Sequence, residues 1–505
     1  MTEDSVKLEL MGDRKVKYAA LSYCWGPDGP ETRAHITLRT NVEKREKGFN
    51  LNGLPRTLRD AVLATRSLGI GYIWIDGLCI VQDCDAEWEK ESTKMMHYYG
   101  NAYLTIVPVM SDSVATGMRH DQGNEPFHVK FRCPWSTNSG SDLDVVLAVE
   151  GSRYDEDCLS ESAWRRRGWT YQEMLVSSRI LFVFDYSMTL RCRMGSWGSL
   201  RGWESRKYPA TCFLPANDVV RDWNEGIPGL VQGSYREWSR LVTDFTKRKL
   251  SKARDRWVAF SGIAEKYCKS FNKQIVAGLW KDRLLEELVT WTPLDTTPLW
   301  TSDIIPSDER FPSWSWIGKD WSSDDWGLLL GSMYVDALQK HQPRAEIESI
   351  VNEHDFRSAK LQLAGYLLDE ESFLAFLCCM PWNPYNTKVR FWFDHCHCRP
   401  PHPIRGWCSK DYDPRTIIPS LTPAVSALLI GINIAARPGS LVEWHFLLIQ
   451  PTGNGPPTTS TTSTSALQEY RRIGAMKTED GDMNAIYSFT RDQLLKSRKR
   501  SILLV

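Results

Sequence analysis

Tyr72-Ile-Trp-Ile-Asp-Gly77 holds four apolar residues without alternation and halts at Asp-Gly, the pattern of a short strand covered on both faces of a sheet. Upstream, Thr57-Leu-Arg-Asp60 has the form of a capping box, and Leu58, Ala61, Val62, Thr65 and Leu68 follow at helical spacing until Gly69 closes the helix. Further back, Lys17 to Tyr23 is a compact strand-like run stopped by Trp25-Gly26-Pro27. Downstream the order repeats. A helix is expected over 85–99, with Glu87/Lys90 and Glu91/Lys94 as outward pairs, then a strand over 102–109, a helix over 170–177 and a strand over 179–184. A further strand fits 143–149. Repeated β-α-β order predicts an α/β fold with a mainly parallel sheet, right-handed crossovers and helices on its faces.

Beyond residue 200 the pattern changes. Helical periodicity over 235–250, 255–267 and 281–291 marks a helical region across 201–310, and β patterning dominates 311–505. There Leu361, Leu363 and Leu367 alternate with Gln362 and Ala364, while 389–393, 442–449 and 470–475 read as strands. The Thr/Ser/Pro/Gly tract 451–465 cannot build a core and reads as a disordered hairpin loop. A basic helix is expected over 491–500.

At about 150 residues per domain, 505 residues suggest roughly three domains. Apolar residues make up 42% and charged residues 25%, a globular balance. Lys plus Arg and Asp plus Glu each total 62, so net charge offers no attraction to nucleic acid or an anionic membrane. The best apolar window, Ala424 to Ala436, is too short to span a bilayer, and Met1 to Leu10 has no signal-peptide character. A cytoplasmic chain with 13 reduced cysteines is therefore the expectation.

Four ordered blocks carry a resemblance. Ala20-Leu-Ser-Tyr-Cys-Trp-Gly26, Leu54-Pro-Arg-Thr-Leu-Arg-Asp-Ala61, Tyr72 to Asp83 and Arg167-Gly-Trp-Thr-Tyr-Gln-Glu-Met-Leu-Val-Ser-Ser-Arg179 resemble the signature blocks of the fungal heterokaryon-incompatibility (HET) domain. Phe311-Pro-Ser-Trp-Ser-Trp316 resembles a motif found downstream of such domains. Where the family carries an acid-rich element after the last strand, this chain has Arg191-Cys-Arg-Met-Gly-Ser-Trp197. The resemblance implies a domain over 1–200 that acts in nonself recognition, a form of innate immunity, and triggers programmed cell death. HET domains are in turn similar to TIR domains, α/β modules of flavodoxin-like sheet order, some of which hydrolyse NAD. On that likeness Trp169-Thr-Tyr-Gln-Glu173 matches the element whose glutamate is catalytic, and Glu173 becomes the candidate residue of an NAD nucleosidase.

Releasing nicotinamide passes through an oxocarbenium-like ribosyl centre, which a nearby carboxylate stabilises. Glu173 suits that role, yet Thr170-Tyr-Gln-Glu173 is also a capping box in which the glutamate would serve its own backbone. Asp76 follows a strand at the carboxyl edge where open α/β sheets bind ligands, or is simply a turn residue. Ser22, Tyr23, Trp25 and Gly26 end the first strand at the same edge, where a ring can stack on a base and glycine admits a ligand to the backbone; Tyr23 and Trp25 can equally pack inward. Arg167 is placed to meet a pyrophosphate, or belongs to a basic turn with Arg165 and Arg166. Trp169 completes the candidate substrate set.

His395-Cys-His-Cys398, His402 and Cys408 are metal-ligand types at poor spacing, so no metal and no resident cofactor is expected, NAD being a substrate. No P-loop, Gly-x-Gly-x-x-Gly or Gly-x-Ser-x-Gly motif is present. The alternative to an enzyme is a signalling module working through self-association or a protein partner.

Overall fold

The computed structural model describes residues 4–119, 129–133, 143–147, 151–185, 187–192, 195–200, 206–208, 235–293, 311–318, 328–330, 339–353, 357–369, 371, 389–393, 426–435, 442–452, 467–480 and 499–505. Helices and strands are mixed. The chain divides into one unit of residues 1–232 and 258–270 and a second of residues 233–257 and 271–505.

In the first unit a seven-stranded sheet is built from β1 (Tyr18–Leu21), β2 (Tyr72–Trp74), β3 (Leu104–Pro108), β4 (Arg179–Val183), β5 (Ser187–Cys192), β6 (Gly195–Leu200) and β7 (Arg206–Tyr208). Its spatial order is β7-β6-β5-β4-β3-β1-β2. The four strands β4-β3-β1-β2 are parallel. The remaining three form an antiparallel meander on β4. The sheet is therefore evenly mixed rather than mainly parallel. Of the Arg191 to Trp197 stretch, Arg191 and Cys192 end β5 and Gly195 to Trp197 begin β6, its antiparallel neighbour.

The helix α1 (Arg56–Ser67) forms where the spacing places it, because Leu58, Ala61, Val62 and Thr65 lie on one buried face. Leu58, Ala61 and Val62 pack on Ala19, Leu21 and Ile106 of the sheet. Gly69, at φ +68°, ends it as expected. The expected capping box is absent. Instead Thr57 Oγ1 accepts from Gly117 N (3.0 Å) and donates to Ser113 O (2.9 Å), while Asp60 Oδ2 accepts from Met118 N (3.1 Å). Both side chains serve the 111–118 loop.

The single helix expected over 85–99 is two, Asp85–Ser92 and α2 (Met95–Gly100). Ser92 Oγ and Thr93 Oγ1 donate back to Glu89 O and Lys90 O, the local competition that hydroxyl side chains bring to a helix end. Glu91 does pair with Lys94 at 2.8 Å, but Glu87 accepts from Val81 N instead of meeting Lys90. A further correction concerns β2. It is an edge strand whose residues are all half-buried; the strand fully covered on both faces is β3. Asp76-Gly77 is not a turn but opens a short helix, Asp76–Cys79. The helix α3 (Trp169–Val176) precedes β4, and the strand expected over 143–149 is Leu143–Leu147, paired with Val129–Cys133.

The second unit contains a β-barrel. The strands β8 (Lys360–Leu368), β9 (Ser426–Ala435), β10 (Val442–Pro451), β11 (Glu469–Asp480) and β12 (Lys499–Leu504) close on themselves, since β9 pairs with both β10 and β8. Closure removes exposed edges. The alternation read at Leu361 and Leu363 is the buried face of β8. Residues 499–504 are strand, not the end of a basic helix; 481–498 lie outside the described residues. The tract 451–465 does join a hairpin, β10 to β11, and its residues 453–465 also lie outside. The Phe311 to Trp316 motif is structural glue here. Ser313 N donates to Val505 O (3.1 Å), Ser315 Oγ to Ala277 O (2.7 Å) and Trp316 Nε1 to Gly278 O (2.8 Å).

Candidate functional site

In the parallel part of the first unit, chain order reverses between β1 and β3, and open α/β sheets bind ligands beyond the carboxyl ends of strands at such a point. Ser22, Tyr23, Trp25 and Gly26 leave β1 there, and Asp76 follows β2. Ser22 N is anchored to Ile106 O at 3.0 Å. From the far side of the sequence, α3 delivers Glu173, and the turn before it delivers Arg167.

These groups converge. Ser22 Oγ donates to Glu173 Oε2 and accepts from Trp164 Nε1 at 2.7 Å. Arg167 Nη1 donates to Tyr23 O. Trp25 Nε1 donates to Asp76 Oδ2 at 3.0 Å, and Gly77 N to Asp76 Oδ1 at 2.6 Å. The Tyr23 hydroxyl meets His35 Nε2 at 3.2 Å. Ser22, Tyr23 and Glu173 are buried, with Glu173 only 4% exposed, whereas Trp25, Asp76 and Arg167 are half-buried. His35, Trp164 and Tyr99 also belong to this cluster. None has a neighbouring motif that marks it in the sequence.

Burial pushes the Glu173 carboxyl up to about 7, against the opposing pull of Arg167 and the Ser22 hydroxyl. Burial, reinforced by Asp76, likewise drives the Tyr23 phenol well above its ordinary value. Cys24 is buried and its thiol is pushed up by that burial, which does not favour a thiolate nucleophile. A carboxyl poised near neutrality beside a guanidinium can hold or release a proton, and once ionised it can stabilise a cationic sugar centre.

Three readings of the sequence change. Glu173 does not close a capping box: α3 has no side-chain cap, and Thr170 Oγ1 donates to Trp164 O (2.7 Å) and Arg167 O (2.8 Å). Gly26, at φ +86°, admits protein rather than a ligand, because a Cβ there would stand 2.4 Å from Ser113 Cβ. Trp169 is a packing residue, lying against the hydrophobic group that contains Tyr99 and meeting Trp88 edge-on at 6.3 Å. A cavity of about 1000 Å³ lies along the β2 edge, and none of Ser22, Tyr23, Trp25, Asp76, Arg167 or Glu173 lines it. The His395 to Cys408 group lies outside the described residues, and among those described no cluster of three or more metal-ligating side chains occurs.

Residues 18–173, from the first residue of β1 to the candidate glutamate, match the family model described as heterokaryon incompatibility protein (HET). Residues 18–173 are a HET domain. Neither a curated protein nor a solved structure matches it. The HET match thus spans β1 to α3 and encloses every member of the buried cluster. No described helix is long and apolar enough to cross a membrane.

Proposed function

We propose that this HET-domain protein is an effector of fungal nonself recognition that triggers programmed cell death from the cytoplasm, through a TIR-like α/β domain working by association with itself or a protein partner. The family match supports the biological role, and the parallel strand order, second-first-third-fourth in the sequence, supports the TIR and flavodoxin-like reading. The observation that carries the mode of action is the state of Glu173. Its carboxyl is buried, held by Ser22 and faced by Arg167, and contributes nothing to the described cavity. That is the geometry of a structural acid. A second reading, NAD hydrolysis, is favoured by the convergence of Glu173, Arg167, Asp76 and Tyr23 beyond the strand ends. It requires Trp25, Asp76 and Arg167 to part and admit the nucleotide.

One experiment separates the two. Purified full-length protein, alone and clustered by fusion to an inducible oligomeriser, is incubated with NAD while nicotinamide release is followed, and wild type and Glu173→Gln are expressed in fungal cells. Association predicts no nicotinamide in either state and equal killing by folded Glu173→Gln. Nicotinamide release that disappears in the variant, together with lost killing, overturns it in favour of hydrolysis.

A further inference from the structure

The outer edge of β2 is open. Among the described residues the strand pairs with β1 alone, and no other backbone hydrogen bond engages Tyr72, Ile73 or Trp74. Unpaired strand edges are templates for a further strand, and proteins ordinarily cover or charge them. This one is bordered by the cavity of about 1000 Å³.

That cavity continues onto both faces of the strand. On the α1 face it is walled by Val6, Leu8, Phe49, Val62 and Ile70, which pack with Ile73. On the opposite face it meets Tyr18, Trp74 and Tyr98, with Trp74 and Tyr98 stacked at 4.8 Å. A strand added to β2 sends successive side chains to opposite faces, so one extended segment would fill both lobes while its backbone satisfies the edge.

The rim is charged with opposite signs at its two ends. Arg14, ion-paired with Glu9 of the same wall at 2.8 Å, and Lys15, which leaves that end net positive, precede β1, whose Tyr18 lies opposite Tyr72, so they stand at the amino end of β2. Glu87 accepts from Val81 N, and Glu46 adjoins Arg45, whose guanidinium is fixed on His35 O; both acids stand past the carboxyl end. A second copy fits poorly, since a twofold contact sets the same hollow against itself.

We propose that the β2 edge of the HET domain binds an extended peptide of a partner protein by strand addition, apolar along its length, acidic at the end over Arg14 and Lys15 and basic at the end over Glu46 and Glu87. The inference is independent of whether Glu173 is catalytic.

The test uses the full chain and three fluorescein-labelled probes: Asp-Val-Ile-Val-Ile-Val-Lys, the same core with its terminal charges exchanged, and a version with serine for each valine and isoleucine. Anisotropy is expected to show saturable binding of one charge order at micromolar concentration and none of the serine probe. Lys15→Glu and Glu46→Lys, both in the exposed rim, should each weaken the preferred probe about threefold, and the double variant should prefer the exchanged order. Amide hydrogen exchange at residues 72–74 should slow when the probe is bound. No saturable binding, binding indifferent to both reversals, or binding without protection at 72–74 overturns the proposal. A dimer that protects those amides without peptide overturns it in favour of a second copy.

Discussion

Ser22, the residue after β1, donates its hydroxyl hydrogen to Glu173 on α3, a partner 151 positions later in the chain. The same oxygen accepts the buried indole N–H of Trp164 at 2.7 Å. One hydroxyl therefore satisfies a carboxyl and an indole in a region with little access to water. The HET domain's first and last matched elements are tied together through it.

Ser22→Ala strands the Trp164 indole and removes one of the donors to Glu173, leaving it Tyr99. Leaving a buried carboxyl and a buried N–H without this oxygen is expected to cost about 2–4 kcal/mol, read as a lower urea midpoint at unchanged m-value. Because the Ser22 hydrogen bond lowers the Glu173 pKa, its removal should also move that carboxyl above about 7. An unchanged midpoint would show that the bond contributes nothing.

Glu173→Gln should flatten the pH dependence of stability. The carboxyl is raised from 4.5 to about 7 in the folded chain, so between those values the folded state holds a proton that the unfolded state has lost. Stability from this group is full below the lower value and is lost as pH rises, by about 3 kcal/mol in all. Asp155, raised to about 6, acts in the same direction but is common to both proteins. Thermal melts of wild type and variant between pH 4 and pH 8 should diverge steadily on the wild-type side. Parallel curves would refute the raised value.

Gly77→Ala should disturb the Tyr23–His35 contact. A Cβ at Gly77 would stand 2.7 Å from His35 Nε2 and 2.9 Å from the Tyr23 hydroxyl, and relieving that overlap in a packed site is expected to cost about 1–3 kcal/mol. The check is chemical denaturation together with the His35 ring resonances, which should shift.

Thr57→Val should loosen the loop after β3 more than the helix it begins. The valine keeps the shape but loses the acceptor for Gly117 N and the donor to Ser113 O, a loss of about 1–2 kcal/mol. Hydrogen exchange should quicken at Gly117 while residues 61–67 of α1 stay protected. The reverse pattern would restore Thr57 to a capping role.

Much of this was legible in the residues. The spacing of Leu58, Ala61, Val62 and Thr65 identified α1 because burial of one helical face depends on neighbours three and four positions apart. Leu361 and Leu363 did the same for a barrel strand. The two capping boxes misled because Thr57, Asp60 and Thr170 have the right spacing but stronger claims elsewhere, on a loop backbone and on Trp164 O. The unbroken apolar run of β2 misled too: an edge strand with a groove on each face reads like a strand covered on both. Ser22, Tyr23, Asp76, Arg167 and Glu173 were singled out and do meet, whereas Gly26 faces Ser113 and Trp169 faces Trp88.

By itself the sequence determined the HET domain, the β-α-β order and the residues that assemble beyond the ends of β1 and β2, since these depend on local periodicity and on ordered blocks. Only the tertiary structure decided that Glu173 is sealed against Ser22, that His35, Trp164 and Tyr99 join the cluster, and that β2 lies open at the edge. Hydrogen-bond partners separated by 151 residues, and a strand's place in the sheet, follow from how the chain packs rather than from any neighbour in the sequence.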